Sequence, residues 1–162
     1  MHTRLRRARL DIARGDFAAA RRLLLEAGGL AVKFGQVHFD AQFAVPLAVA
    51  RAELALWEGH DEEAVKAAAD GLAALTPTGL ETDVPALFAL GLAAAAARVE
   101  RTSARRATAE AEAARRNGER LLARLEALAD DGAHPGGPEL AAALLQGRAE
   151  QTRLHGPADP AA

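Results

Sequence analysis

A short unit that occurs twice constrains the fold of this chain more than any other feature. Residues 13–28 read ARGDFAAARRLLLEAG, and residues 57–72 read WEGHDEEAVKAAADGL. In both, a helical run ends at a glycine (Gly15 or Gly59), an acidic residue follows within two positions, and an alanine lies five residues after the glycine. Glycine readily adopts the left-handed conformation that ends a helix. Each copy therefore predicts two helices joined by a tight turn.

A third copy of the unit is less clear. The segment VPLAVARAELAL at 45–56 aligns with VPALFALGLAAA at 84–95, an offset of 39 residues, which places Ala8, Ala52 and Gly91 at one position. A small residue that recurs at one point predicts that two helices cross closely there. Two-helix units with a period near 40 residues are typical of stacked helical hairpins.

Composition favours helices along the whole chain. Half of the 162 residues are hydrophobic, only 4% are aromatic, and alanine, leucine, arginine and glutamate dominate over β-branched residues. These residues lose little entropy in a helix, whereas sheets are rich in β-branched ones. We expect one all-α domain over 1–156 with about seven helices, in antiparallel hairpins at about 3–35, 41–76 and 83–131, then a last helix at 138–154 and a tail or truncated linker at 157–162.

Local signals refine the helix ends and the apolar faces. The N-cap candidates are Asp16 for the second helix, His60 or Asp61 for the fourth, Asp83 for the fifth, and Thr102 or Ser103 for the sixth. Trp57, the only tryptophan, is expected to pack in the core under the second turn. The last helix carries Leu140, Leu144 and Leu145 with only a Pro/Gly/Ala-rich tail after it. An end repeat without a polar cap predicts self-association, or dependence on flanking sequence.

Several function classes are disfavoured by what the sequence lacks. A net charge of −2 gives no general attraction to nucleic acid, and the arginine clusters alternate with glutamates, as on a solvated helix face. The chain has no cysteine, its five histidines are scattered, and no phosphate-binding GxxxxGK[ST] loop is present. No apolar stretch reaches the roughly 20 residues of a membrane helix. We expect a cytoplasmic protein that is not an enzyme and has no cofactor, no metal, no membrane contact and no direct contact with nucleic acid.

The first copy resembles the tetratricopeptide repeat. The matching residues of ARGDFAAARRLLLEA and the helix before it are Ala8, Gly15, Asp16, Phe17, Ala20, Leu24 and Ala27. The second copy departs from the pattern, with His60 and Asp61 in place of polar and aromatic residues, and the intervals exceed the usual 34 residues. Together with DVPALFALGLAAAAARVE and the C-terminal GGPELAAALLQGRAEQTRLHGPADPAA, the chain resembles the helical-repeat region of large ATP-binding LuxR-type regulators of actinobacteria, the MalT-like group.

This resemblance implies a right-handed superhelix of hairpins with a concave face lined by the first helix of each pair. The face would include Arg9, Glu53, Leu56 and Trp57, which are the candidate binding residues. It implies a non-enzymatic scaffold for protein–protein interaction, the repeat segment of a transcriptional regulator. The alternative is a module that senses a small-molecule inducer on the same face. An enzyme, or a DNA binder in its own right, is the third hypothesis and has no motif in its favour.

Overall fold

The computed structural model describes residues 2–33, 41–75, 83–130 and 137–155. Within these ranges the chain forms seven α-helices and no strand, which confirms the prediction of an all-α chain with about seven helices. The helices are α1 (His2–Ala13), α2 (Phe17–Lys33), α3 (Ala41–Trp57), α4 (Asp61–Ala73), α5 (Val84–Ala104), α6 (Thr108–Asp130) and α7 (Pro138–His155). The predicted tail at 157–162 lies outside the described residues.

The helices pair along the chain and then pack in order. α1 packs on α2, α3 on α4, and α5 on α6, so that three hairpins form. The first helix of each hairpin also contacts the first helix of the next, and α7 continues this row after α5. Each second helix (α2, α4 and α6) contacts the first helix that follows it in sequence. We call α1, α3, α5 and α7 the first helices and α2, α4 and α6 the second helices.

All three hairpins close with the same turn. One residue at each turn has a positive φ: Gly15 at 78°, Gly59 at 74° and Arg106 at 58°. Its N–H donates to the carbonyl three residues earlier, and the next N–H donates to the carbonyl five residues earlier, at 2.7–3.0 Å in all six cases. This pair of bonds is the Schellman motif, which satisfies the last carbonyls of a helix. The same turn therefore occurs three times, each time with different residues.

The position of the third turn corrects the alignment of the third copy. Arg106 follows Gly59 by 47 residues, whereas Gly59 follows Gly15 by 44. The offset of 39 residues was wrong, because the equivalent turn residues after α3 and α5 are 47 residues apart. Val99, not Gly91, is therefore the residue seven before the turn that corresponds to Ala8 and Ala52.

Small residues allow close helix crossings, as the sequence predicted in general terms. Ala8, Ala20, Ala52 and Ala64 are each completely buried. A Cβ on Gly71 of α4 would lie 2.6 Å from the Cβ of Ala48 on α3, too close for any side chain there without movement of the backbone. Positions equivalent to Gly71, twelve residues after the turn residue, hold Ala27 in α2 and Gly118 in α6. The second helices thus keep a small residue where each one meets its neighbour.

The N-cap predictions have mixed outcomes. Asp16 caps α2, since its Oδ1 accepts a hydrogen bond from the N–H of Ala19 at 3.0 Å. His60 and Asp83 occupy the N-cap positions of α4 and α5 but make no capping bond with their side chains. The prediction for α6 was wrong, because Thr102 lies inside α5 and its hydroxyl donates to the carbonyl of Arg98 at 2.7 Å. A threonine hydroxyl can bond back within its own helix just as well as cap the next one.

One apolar prediction was wrong, and the apolar residues of the last helix lie on two different faces. Trp57 does not pack in the core: it is the last residue of α3 and is 67% exposed. On α7, Leu140 is buried and Leu144 is half-buried, but Leu145 is 70% exposed. Residues four apart share a helix face and adjacent residues do not, so Leu140 and Leu144 face α5 and α6 while Leu145 faces solvent.

Candidate binding surfaces

The first surface lies along the first helices and contains the residues predicted from the resemblance. Arg9 and Glu53 both stand six residues before their turn, and the structure brings them together across α1 and α3 with Arg9 Nε 3.8 Å from Glu53 Oε2. Trp57 lies one helical turn beyond Glu53 and is exposed. Leu56 is instead partly buried against Ala55, Ala64 and Ala94. We call Arg9, Glu53 and Trp57 the first-helix surface, and Leu56 belongs to the packing beneath it.

Sequence reasoning missed a second charged pair in the same row of helices. Glu100 on α5 also lies six residues before its turn, and Arg153 on α7 donates two hydrogen bonds to it, at 2.9 and 3.0 Å. These hydrogen bonds hold the pKa of Glu100 below its usual range, and they raise the pKa of Arg153 above its already high value. The first helices are thus linked by opposite charges at both ends of the row.

The second hairpin turn is held by arginines from the hairpins on both sides. Asp61 is buried, and its Oδ2 lies 3.1 Å from Nε of Arg101 on α5. Arg101 also donates to the carbonyl of Gly59. From the other side, Arg21 of α2 pairs with Glu58. A buried carboxylate needs such partners because its desolvation is costly, so Asp61 links the second hairpin to the third.

Two clefts lie between consecutive second helices. The larger one, about 390 Å³, runs between α2 and α4 over α3. Its apolar lining includes Leu24, Leu25, Leu47 and Leu54, and its charged lining includes Arg21, Arg51, Glu63, Lys66 and Asp70. We call it the α2–α4 cleft. Leu25 on its wall is 67% exposed, so an apolar surface faces solvent here.

The second cleft repeats this arrangement one hairpin later. It has a volume of about 320 Å³ and runs between α4 and α6 over α5, with Val65, Ala95, Arg98 and Ala114 among its lining residues. Arg98 and Arg51 correspond, since each stands eight residues before its turn. We call it the α4–α6 cleft. Nothing in the sequence analysis pointed to either cleft, and the recurring arginine became visible only when Arg106 was identified as the third turn.

The described residues show no arrangement suited to binding a metal ion. Across 2–33, 41–75, 83–130 and 137–155, no three histidine, aspartate or glutamate side chains come together as a metal site would require. None of the helices in these ranges is both long and apolar enough to span a bilayer. Comparison of the chain with protein-family models, curated proteins and solved structures gives no significant match. A proposal for the function must therefore rest on the surfaces described above.

Proposed function

We propose that this chain is a non-enzymatic helical-repeat scaffold for protein–protein interaction. The observation that carries the proposal is the threefold repetition of one turn, with the same two hydrogen bonds each time, in hairpins whose first helices pack in sequence. Repeats that contact only their neighbours form open arrays with long accessible surfaces. In this proposal the hairpins wind into a tetratricopeptide-like right-handed superhelix, with the first-helix surface on its concave side.

The first-helix surface has the properties of a protein-binding face. Trp57 presents a large exposed ring, and tryptophan is enriched among residues that dominate interface energies. Glu53 and Arg9 lie beside it with only a 3.8 Å contact between them, and exposed pairs of this kind contribute little to stability. Their charges are accordingly available to a partner that brings its own basic or acidic side chain.

The cellular role proposed here rests on the resemblance to LuxR-type, MalT-like regulators. In this role the chain is the repeat segment of a cytoplasmic transcriptional regulator, and its partner is another protein or a second copy. The reading frame on both sides of the segment tests this part. A phosphate-binding loop encoded upstream and a helix-turn-helix downstream would support it, and stop codons on both sides would contradict it.

The scaffold proposal itself is tested by partner capture with matched variants. Tagged native chain, Trp57→Ala and Leu145→Ala are incubated with lysate of the source organism, and the captured proteins are identified by mass spectrometry. Both substitutions remove a large exposed side chain, but only Trp57 lies on the proposed surface. We expect Trp57→Ala alone to lose a specific partner. Capture of the same proteins by all three chains would contradict this use of the surface.

Sensing of a small-molecule inducer is the second candidate for the first-helix surface. The observation in its favour is an exposed aromatic ring one helical turn from a carboxylate and a guanidinium, a mixture of apolar and polar groups that is typical of ligand sites. A ligand that binds the folded chain raises its Tm by mass action. A metabolite screen by thermal shift, repeated with Trp57→Ala, would therefore separate this candidate from the scaffold.

A further inference from the structure

The strongest unexplained feature is an arginine that recurs at the same place in all three hairpins. Arg7, Arg51 and Arg98 each stand eight residues before the turn residue. Two of them are neutralised. Arg7 donates to both oxygens of Asp11 at 3.0 and 3.2 Å, and Arg98 lies 3.1 Å from Glu62. In each case the carboxylate occupies the space into which the guanidinium points.

Arg51 differs from its two counterparts. Among the residues that the structure describes, no carboxylate lies within ion-pair distance of its guanidinium. The other charges of the α2–α4 cleft do pair with one another: Glu63 with Arg21 at 3.8 Å, and Asp70 with Lys66 at 2.7 Å. The cleft therefore holds one cation in excess, and that cation is Arg51.

Arg51 is exposed, and its guanidinium lies in the cleft against α2. Gly28 of α2 leaves the space that the guanidinium occupies, because a Cβ on Gly28 would collide with it. The apolar side chains of Leu24, Leu25 and Leu47 line the same cleft. A single cation beside an apolar wall recognises a molecule with the same two parts, an anionic group and an apolar body.

We propose that the α2–α4 cleft binds a small amphiphilic anion, with a carboxylate or similar group on Arg51 and an apolar body against the leucines. The volume of about 390 Å³ lies within the usual range of roughly 300–1,000 Å³ for small-molecule sites. A guanidinium donates to a carboxylate with two parallel hydrogen bonds, which fixes the orientation of the ligand. This site lies between the second helices and is independent of the proposed use of the first-helix surface.

The α4–α6 cleft explains why we assign the ligand to only one of the two clefts. It has the equivalent arginine, Arg98, but Glu62 already neutralises it. The residue that corresponds to Leu25 is Ala69, and the one that corresponds to Leu24 is Ala68. The second cleft thus lacks both the free cation and the leucine wall, so it serves as an internal control.

The test uses two fluorescent probes that differ by one charge. 1-Anilinonaphthalene-8-sulfonate has an apolar body and an anionic group, and N-phenyl-1-naphthylamine has nearly the same body without the anion. Each probe is titrated into the native full chain, Arg51→Gln and Arg98→Gln. We expect saturable binding of the sulfonate at one site, weakened about tenfold by Arg51→Gln, because hydrogen bonds to a charged group typically contribute this much or more. Arg98→Gln leaves the affinity within about twofold.

Three results would overturn the proposal: no saturable binding of the sulfonate by the native chain, equal affinities in Arg51→Gln and the native chain, or equal affinities of the native chain for the charged and neutral probes. Loosely folded protein also binds such probes, so circular dichroism and urea unfolding must show that each variant folds. A second pair, Leu25→Ser and Leu145→Ser, tests the apolar wall with two similarly exposed leucines and no change of charge. Only the first should weaken binding of the probe, and an unchanged affinity in Leu25→Ser would contradict the site.

Discussion

The second and third hairpin turns have the same backbone but are stabilised differently. At the second turn the left-handed residue is Gly59, and the turn is held from outside by Arg101 and Arg21. At the third turn the left-handed residue is Arg106, and among the described residues no ion pair reaches the segment from Ser103 to Ala107. The comparison shows that the two backbone hydrogen bonds define the geometry of the turn. Glycine and the arginine contacts affect its stability but are not needed for its geometry.

The largest effect should come from removing the arginine that holds the second turn. Arg101→Ala leaves the buried carboxylate of Asp61 without its partner and frees the carbonyl of Gly59. We expect a loss of about 2 kcal/mol in the free energy of unfolding, since hydrogen bonds to charged groups contribute roughly 1.5–3 kcal/mol each. Urea unfolding measures it.

Arg105→Ala at the third turn is the matched control for this substitution. Arg105 is exposed and has no ion-pair partner within the described ranges, so its replacement should change the free energy of unfolding by less than about 0.5 kcal/mol. Equal effects of the two alanine variants would show that the second turn gains nothing from Arg101.

The next effect concerns the left-handed residue itself. Gly59→Ala should lower the free energy of unfolding by about 1 kcal/mol, because a Cβ costs roughly 1–2 kcal/mol in this conformation and the less flexible unfolded chain offsets part of it. Steric overlap adds nothing, since the new Cβ would lie 3.5 Å from the Arg101 guanidinium, an ordinary contact. Arg106→Ala, which keeps a Cβ at the equivalent position, should be nearly neutral by the same urea measurement.

The reverse substitution at the third turn should stabilise the chain. Arg106→Gly relieves the strain of a side chain at φ 58°, and the cost in unfolded-state entropy is smaller than this relief. We expect a gain of about 0.5 kcal/mol, seen as a higher Tm in calorimetry. A loss of stability would mean that the Arg106 side chain makes a stabilising contact that outweighs its conformational strain.

The smallest effect concerns the exposed ion pair between Glu100 and Arg153. The pKa of Glu100 is lowered in the folded chain by hydrogen bonds from Arg153, so the folded state binds this proton less readily than the unfolded state. The pair therefore stabilises the fold above the unfolded pKa of about 4.3, and the contribution disappears as the pH falls through the lower folded pKa.

Unfolding of native chain and Glu100→Gln at pH 7 and pH 3 measures this contribution. The two chains should differ at pH 7, and the difference should shrink as the pH falls from 7 to 3. Glu53→Gln, at the equivalent position but with a single contact of 3.8 Å to Arg9, should show a smaller difference at pH 7. A difference for Glu100→Gln that is as large at pH 3 as at pH 7 would contradict the assignment to the ionised pair.

The sequence predicted those parts of the fold that depend on local chemistry. The glycine followed by an aspartate at Gly15 and Asp16 specifies both the end of one helix and the cap of the next, and the structure contains both features. The third turn could not be found in this way. An arginine in the left-handed conformation has no compositional signal, and its φ of 58° belongs to a turn closed by two backbone hydrogen bonds.

Surface assignments depended on three-dimensional information that one sequence does not provide. Trp57 was expected to pack in the core under the second turn, yet it lies exposed at the end of α3. Arg9 and Glu53 were named from the resemblance and do lie together. The α2–α4 cleft needed the spatial relation of three helices, and the importance of Arg51 follows only from comparison with Arg7 and Arg98.

The unequal spacing of equal turns bears on which insertions and deletions such a chain tolerates. The interval between turns grows from 44 to 47 residues, and within it α5 is four residues longer than α3, which is close to one helical turn of 3.6. A first helix lengthened by that amount returns its side chains to nearly the same direction, so the next hairpin still meets its neighbour. One or two added residues would rotate the rest of the helix, and the hairpins after it, by about 100° or 200° about the helix axis. Natural variants of this protein should therefore gain or lose residues within a helix in steps of three or four.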